Sequence, residues 1–436
     1  MKAKLKWSVL FPAVVILALG MAGCGNAAKS KVPIRLAYIF TGVHSEAPVY
    51  EPYLKDFAAT NPDINLVAEP MPGGTPDIQA KLYTQAAAGS LPDVFISWPG
   101  PGMLKNFISA NAVADLKDYI AKDPQFSSYF KNKGYLFENS VQFVKDGPIW
   151  GMPEEVYYMF LTVNKKLFDQ AGVSVPTTYD DVKKIIPAFK AKGIIPMAMA
   201  GKDQDMNVCF WFGLLNRFGT NDEIIKGITQ GGVTQYPAFL NSAKVIYEMA
   251  GWGAFPEACT AKDSGEAMSL FDSGKAAMYY GGTWYIGNVS AETAKDCAVV
   301  PLWTFAGARG DSKELLGGIA VEYLVSAKGW ADKDHHRGID KLLHALINPA
   351  LSAKLTEVGV PPLLDVQYSE KASKLLIAAD KLAKGASRFQ MNYDAYGNQP
   401  GNDALNNLSQ GLLNRSITPE QAVQELDKQI RSGISQ

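Results

Sequence analysis

Leu91-Pro92-Asp93-Val94-Phe95-Ile96 decides the fold, because it is the third of three short β-rich runs separated by helical spacing. The first run is Ile34 to Phe40. After it, Tyr50, Leu54 and Phe57 recur one helical turn apart until Asn61-Pro62 ends the helix. Ile64, Leu66 and Ala68 then alternate as a strand does. A second helix is predicted from Pro76, with Ile78, Leu82 and Ala86 on one face and Gly89 past its end. Strands and helices in this alternation predict an α/β protein with a mostly parallel sheet and helices on its faces.

The rhythm resumes after Gly151. Met159 to Val163 reads as a strand, Tyr179 to Lys192 as a helix behind Pro176-Thr177-Thr178, and Ile194 to Met199 as a strand. Trp211 to Phe239 is mainly helical with glycine breaks, and helices are predicted over Leu240–Met249 and Glu266–Phe271. Ala276 to Tyr280 and Ala298 to Pro301 read as strands. Beyond Asp332 helical spacing dominates, through Ile339, Leu342, Leu343, Leu346, Leu351, Leu355 and Val358.

The other end of the chain carries an address. Lys2, Lys4 and Lys6 precede an apolar run, Trp7 to Leu19, broken by Pro12. That run is too short to span a bilayer, which takes about 20 apolar residues, but suits an export signal. Met21-Ala22-Gly23-Cys24 resembles the lipobox of bacterial lipoproteins. The resemblance implies a signal peptide over 1–23, a lipid on the Cys24 sulfur and a small, polar tether over 24–32. It places the mature protein outside the cytoplasm, at the cell surface or in the periplasm, held to the membrane by lipid. Stable anchoring takes more than one acyl chain.

Composition removes some function classes. The 42 basic and 43 acidic residues give a net charge of −1, whereas nucleic-acid binders carry a basic field. Besides Cys24 there are Cys209, Cys259 and Cys297, with no Cys-x-x-Cys pair, so no zinc site, other metal or cofactor is expected. A Cys259–Cys297 disulfide and free thiols both remain open at this point. Gly-x-Ser-x-Gly, Gly-x-x-x-x-Gly-Lys and His-Glu-x-x-His are all absent.

Several blocks together resemble the extracellular solute-binding proteins of ABC importers, in their sugar-binding branch. They are Leu91-Pro92-Asp93-Val94-Phe95; Gly151-Met152-Pro153 with Val163-Asn164-Lys165-Lys166-Leu167-Phe168; and Ala171-Gly172-Val173 with Pro176-Thr177-Thr178-Tyr179. The most specific block is Phe271-Asp272-Ser273-Gly274-Lys275-Ala276-Ala277-Met278 with Gly282-Thr283-Trp284, and Gly317-Gly318 and Gly359-Val360-Pro361-Pro362 complete the order. The resemblance runs from about residue 33 to the C-terminus. It implies a two-lobe, periplasmic-binding-protein-like α/β fold of type II. The hinge crossings would lie near Pro148–Pro153, Leu315–Val321 and Val360–Leu364. Lobe one would be 33–149 with 317–360, and lobe two 150–316 with 361–436.

A sugar presents apolar C–H faces and a polar rim, so its site needs aromatic plates and a few placed polar groups. Trp98 follows the Val94–Ile96 strand and is expected at a strand end facing the cleft. Trp284 stands where the resemblance places a sugar-stacking tryptophan, and Trp211 lies in a block that often holds another aromatic. Each could instead be core packing. The resemblance favours Tyr157 over Tyr158 as a ligand contact. Glu154 and Glu155 are adjacent and point to opposite sides of an extended chain; Glu155 is the ligand candidate, and a salt bridge near the hinge is the structural alternative. His44 and Glu46 occupy the loop after the first strand, where ligand contacts are expected. Gly318 could let backbone approach the ligand or serve the crossing alone. Asp77 reads as a first-turn carboxylate. Asn392, Asp394, Asn398 and Asn402 form a polar stretch from which late contacts could come. Maltose-type members carry an Asp-Arg pair after the third strand; Trp98-Pro99-Gly100-Pro101-Gly102 stands here instead, which argues against a maltodextrin.

Two function classes follow. The first is a lipid-anchored, non-enzymatic, monomeric receptor that captures a sugar or oligosaccharide and delivers it to an ABC permease, with a non-sugar solute as the variant. The second is a surface glycoside hydrolase with Glu46 and Glu154 or Glu155 as its carboxyl pair, which would need about 5–5.5 or 6.5–9.5 Å between them. The tryptophan block and the two-lobe order favour the receptor.

Overall fold

The computed structural model describes residues 31–435, apart from 43, 132–136, 138–139 and 203. The signal segment and Cys24 lie outside the described residues. No helix among those described is long and apolar enough to cross a membrane.

Nine strands build the framework: β1 (Val32–Tyr38), β2 (Ile64–Pro70), β3 (Val94–Ser97), β4 (Met152–Asn164), β5 (Ile195–Met197), β6 (Ala276–Gly282), β7 (Cys297–Val300), β8 (Leu315–Val325) and β9 (Phe389–Gln390). They hydrogen-bond in the order β2-β1-β3-β8-β4-β6-β5, with β7 also on β4 and β9 on β8. The β1–β2, β1–β3 and β5–β6 pairs are parallel, as the βαβ rhythm predicts. The sheet as a whole is mixed rather than mostly parallel, because β4 pairs antiparallel with β6, β7 and β8, and β3 with β8. The cause is the path of the chain. β4 leaves the first half of the molecule and β8 returns to it, so the two neighbours run in opposite senses.

Two separate hydrophobic cores flank this ribbon. One gathers residues from Ile34 to Val156 and from Ile319 to Leu364. The other gathers Tyr157 to Leu316 and Leu375 to Ile430. The change of core falls inside β4, between Val156 and Tyr157, a few residues beyond the crossing placed near Pro148–Pro153. The strand predicted over 159–163 is only the far half of β4. Both halves are buried on both faces, but Pro153-Glu154-Glu155 interrupts the apolar run of the near half.

Local chemistry sets the helices. Thr178 closes a capping box with Asp181 ahead of the helix Tyr179–Ala191, whose Val182, Ile185, Ile186 and Phe189 are buried. Gly172, at φ +68°, ends Lys165–Ala171 in the left-handed conformation that glycine adopts without strain. The glycine-broken stretch resolves into Gln204–Phe218, Asn221–Gln230 and Pro237–Gly251. Helix Lys333–Leu346 buries Ile339, Leu342, Leu343 and Leu346, each contributing roughly 1.5–3 kcal/mol when fully buried. Its three histidines are paired rather than solvated: His335 Nδ1 lies 2.8 Å from Asp93, His336 Nδ1 3.0 Å from the Trp330 carbonyl, and His344 Nε2 3.1 Å from Asp123. Cys209, Cys259 and Cys297 form no disulfide among the described residues, and the first two are buried.

Candidate functional site

The candidate residues gather where the two cores meet. On the second-core side, β6 ends in Gly281-Gly282 and the chain turns into a 3-10 helix, Thr283–Asn288. Thr283, Tyr285 and Ile286 of that turn are buried, while Trp284 is half-buried. Its indole packs on Tyr157 at a centroid distance of 5.7 Å and 49° between planes. Tyr157 sits on β4 opposite Gly318, and its hydroxyl accepts the Asn392 backbone N–H at 2.9 Å. Gly318 has φ +143°, open only to glycine without strain, and a Cβ there would come within 3.2 Å of the Met391 side chain. Asn392, Asp394 and Tyr157 therefore share one neighbourhood. Burial pushes the Asp394 carboxyl up to about 6. Asn398 instead caps the helix Gln399–Leu413, and Asn402 donates to the Asp394 carbonyl, so both hold backbone.

The first-core side supplies carboxylates. Glu46 precedes the helix Ala47–Thr60 and is 4% exposed. Burial raises its pKa against the opposing pull of hydrogen bonds from its own backbone and Ser45. His44 Nδ1 lies 3.9 Å from Glu46 Oε2, and burial holds its imidazole below the usual range. Glu154 and Glu155 lie on an irregular part of β4, where its register against β8 shifts on either side of Glu155. Glu154 accepts the Tyr50 hydroxyl at 2.7 Å, and Tyr50 in turn meets the Tyr323 hydroxyl. Its other oxygen is buried without a partner, and burial raises its pKa to about 8. Glu155 Oε1 is likewise buried without a partner, and burial, then Glu46, push its carboxyl well up. Among the described residues neither glutamate forms the salt bridge that was the structural alternative. Glu322 is a fourth buried carboxyl, with both oxygens unpartnered; nothing in its β-rich surroundings marks it in the sequence.

Trp98 is half-buried just past β3, as its position at a strand end predicts. Its loop approaches the other half of the molecule: a Cβ on Gly100 would stand 2.6 Å from Ala395, and one on Gly102 2.5 Å from the Gly397 carbonyl. A second approach lies beyond Trp284, where a Cβ on Gly287 would collide with the Val358 carbonyl and lie 2.7 Å from Ser45. Glycines thus permit backbone-to-backbone closeness at both edges.

Trp211 is corrected. It is fully buried in the second core, and its N–H donates to the Ser242 hydroxyl at 2.9 Å. Helical spacing on Gln204–Phe218 turns it inward, so it offers no face to a ligand. Asp77 is exposed in a first helical turn, in keeping with its structural reading. Asp123, Asp340 and His344 place ligand-type atoms within 4.8 Å of one another, yet Asp123 already caps a helix and Asp340 accepts the Tyr119 hydroxyl. An open groove of about 460 Å³ between β7 and the helix Lys374–Lys384 contains none of the candidate side chains.

Comparison with known proteins fits this architecture. The pattern of the family described as bacterial extracellular solute-binding protein matches residues 53–379. A protein of Brucella abortus (strain 2308) named as a binding protein is 27% identical over 278 residues, covering 63% of this chain; the chain spans 62% of that relative's length. The multiple sugar-binding protein of Streptococcus mutans is 22% identical over 347 residues, 76% of this chain and 75% of that one. A solved structure from work on xylan utilization by Caldanaerobius polysaccharolyticus superposes with a TM-score of 0.81 at 24% identity, covering 92% of this chain and all of the other. A chitin oligosaccharide binding protein superposes with 0.80 at 19% identity, covering 92% and 98%. These two likenesses establish the two-lobe fold.

Proposed function

The chain belongs to the bacterial extracellular solute-binding proteins, and from that premise we propose that it captures a sugar or oligosaccharide between its two lobes. The observation that carries this reading is the Trp284–Tyr157 pair at the junction of the two cores, its indole half-buried and its phenol ring buried. An indole offers a flat apolar plate with few rotors to order, which suits the C–H face of a pyranose. Glu46, Glu155 and Asp394 beside it supply acceptors for a polar rim. Trp98 and His44 add surface from the first lobe, and Gly318 lets the backbone of β8 lie open beside Tyr157. The glycine contacts at both edges support an enclosed solute, since hinge closure brings two lobes together around it.

In this reading the protein binds and releases without turnover, and hands its solute to an ABC permease. Cys24 carries the lipid that keeps it at the membrane outside the cytoplasm, as a monomer. The Streptococcus mutans relative, named for sugars, favours carbohydrate over other solutes. A thermal-shift screen of the purified protein against neutral, acidic and amino sugars and their oligomers tests the central claim, because a ligand of the folded state raises its stability by mass action. Stabilisation by a carbohydrate, with no products released, is the expected result. Products whose formation stops in Glu155→Gln would instead establish a hydrolase.

A further inference from the structure

The first lobe's part of the junction is acidic and has no counter-charge. Glu46, Glu154 and Glu155 are all nearly or fully buried. Among the described residues their one ion-pair contact is His44, 3.9 Å from Glu46. No lysine or arginine among the described residues pairs with any of the three, and none is among the groups shifting their titration. Glu154 Oε2 and Glu155 Oε1 find no hydrogen-bond partner among the described residues. Tyr50 and Tyr323 contribute hydroxyls against this cluster and no positive charge, and Glu322, opposite Pro153 on β8, is a further buried carboxyl.

Such an arrangement is costly in a folded interior. Buried carboxylates are normally paired or hydrogen-bonded, and like charges that feel one another resist ionising together. A fully neutral ligand leaves ionisation unfavourable there, as the raised titration of all three carboxyls reflects, whereas a cation reverses it. Ionised carboxylates only accept hydrogen bonds, whereas an ammonium offers three donors and no acceptor. The cluster also sits where a solute would be held. Glu155 is two residues before Tyr157 on β4, and Tyr157 packs on Trp284. Ser45, next to Glu46, approaches Gly287 in the same 3-10 turn as Trp284.

We propose that the captured solute carries a positively charged amino group, seated between Glu46 and Glu155, with its ring against Trp284. Glu154, tied to Tyr50, lies behind them and sets the local field. The proposal deepens the carbohydrate reading and rests on it for the frame that carries the amine, so an amino sugar or amino-oligosaccharide is the class expected.

Matched pairs test it. Glucosamine and glucose, galactosamine and galactose, and the β-1,4-linked tetramers of glucosamine and glucose are titrated calorimetrically into the protein at pH 6.5, with spermidine as an amine lacking a sugar ring. In at least one pair the amino member should bind about 30-fold tighter or more, the scale on which a buried charge pair contributes. Glu46→Gln and Glu155→Gln, close in shape to the native residues, should each erase that preference, bringing the ratio of amino to neutral affinity close to one. Their melting temperatures confirm folding, and either variant alone suffices for the readout. A neutral sugar that binds as tightly as its amino counterpart overturns the amine and leaves the carbohydrate reading standing. Spermidine binding with no sugar bound overturns the carbohydrate reading and keeps the amine. No binding by any of these compounds overturns both.

Discussion

The interior of the second lobe and the layer between the lobes bury polar and aromatic groups on opposite terms. Inside the second lobe Trp211 is sealed and its N–H is used by Ser242. Buried Arg217 donates to the carbonyls of Asp311 and Glu314, and Glu314 meets Asn221 and lies 3.5 Å from Arg388. Charge there meets opposite charge or carbonyls close by, although Arg217 Nε and Trp303 Nε1 are also buried without a partner among the described residues. Between the lobes Trp284 keeps a half-open indole, and Glu154 and Glu155 keep buried oxygens with no partner. The first pattern is what a folded interior needs for its own stability. The second makes sense only if something else completes it, which is why the interlobe layer is the candidate site. Substitutions should separate the two regions cleanly: stability should respond in one and affinity in the other.

The largest expected effect lies in the core. Trp211→Ala should destabilise the protein by roughly 3–5 kcal/mol, the range for truncating a buried aromatic. The fraction that remains folded should bind the solute within a few-fold of wild type. Denaturant melts and calorimetry on the same preparation check this. A large loss of affinity at unchanged stability would return Trp211 to the site and break the comparison.

Trp284→Ala should do the reverse at about half the size. Truncating an aromatic anchor costs about 2 kcal/mol or more of binding, or roughly 30-fold in affinity. The melting temperature without ligand should barely move, since the indole is only half-buried. A core-like stability loss with intact affinity would move Trp284 into the interior and leave Tyr157 without its role.

A smaller effect is expected at the contact between lobes. Gly287 lies against Ser45 and the Val358 carbonyl, with no room for a Cβ. Gly287→Ala should keep the lobes from meeting fully and weaken binding by about tenfold, or 1.4 kcal/mol, while each core stays intact. Small-angle scattering at saturating ligand should give a larger radius of gyration than for wild type. An unchanged radius and affinity would show that this contact is incidental to capture.

These contrasts also explain what the sequence could and could not disclose. Period and turn chemistry revealed β1, β2, the helix Tyr179–Ala191 and the amphipathic Lys333–Leu346 through their spacing, and β3, buried throughout, through its short apolar run after Leu91-Pro92-Asp93. The near half of β4 was not legible because Pro153-Glu154-Glu155 interrupts the apolar run, whereas the equally buried far half, Met159 to Val163, is continuously apolar but for Thr162. The antiparallel pairing of β4 and β8 escaped because it depends on residues more than a hundred apart. Among site candidates, Gly281-Gly282 ahead of Trp284 signalled a chain turning out of a strand. Trp211 carried no such punctuation and belonged to a helix interior. The carboxylates at 46, 154 and 155 could be seen, but their lack of partners could not. Partnership is a property of the packed molecule, and for Glu322, inside an apolar strand, the charge itself was the only available sign.

The smallest expected effect is in the pH dependence of stability, and its sign tests the carboxylates directly. A carboxyl that titrates higher in the folded than in the unfolded state binds more protons when folded. It stabilises the fold at acidic pH, and that contribution is lost as pH rises through the folded value. For Glu154 the window runs from about 4.5 to about 8, and Glu46 and Glu155 shift in the same direction. His44 acts oppositely, since its lowered pKa adds stability as pH rises toward 6.5, but above pH 7 it is neutral in both states. Between pH 7 and pH 8 the carboxylates should therefore dominate, and the ligand-free protein should lose about 1 kcal/mol through Glu154. Glu154→Gln keeps an acceptor for Tyr50 and removes the proton exchange, so its stability should fall less steeply over that unit of pH. Parallel urea melts of the two proteins at pH 7 and pH 8 decide it. Equal slopes would mean that Glu154 is already ionised at neutral pH, and the interlobe layer would then hold its charge without help from a ligand.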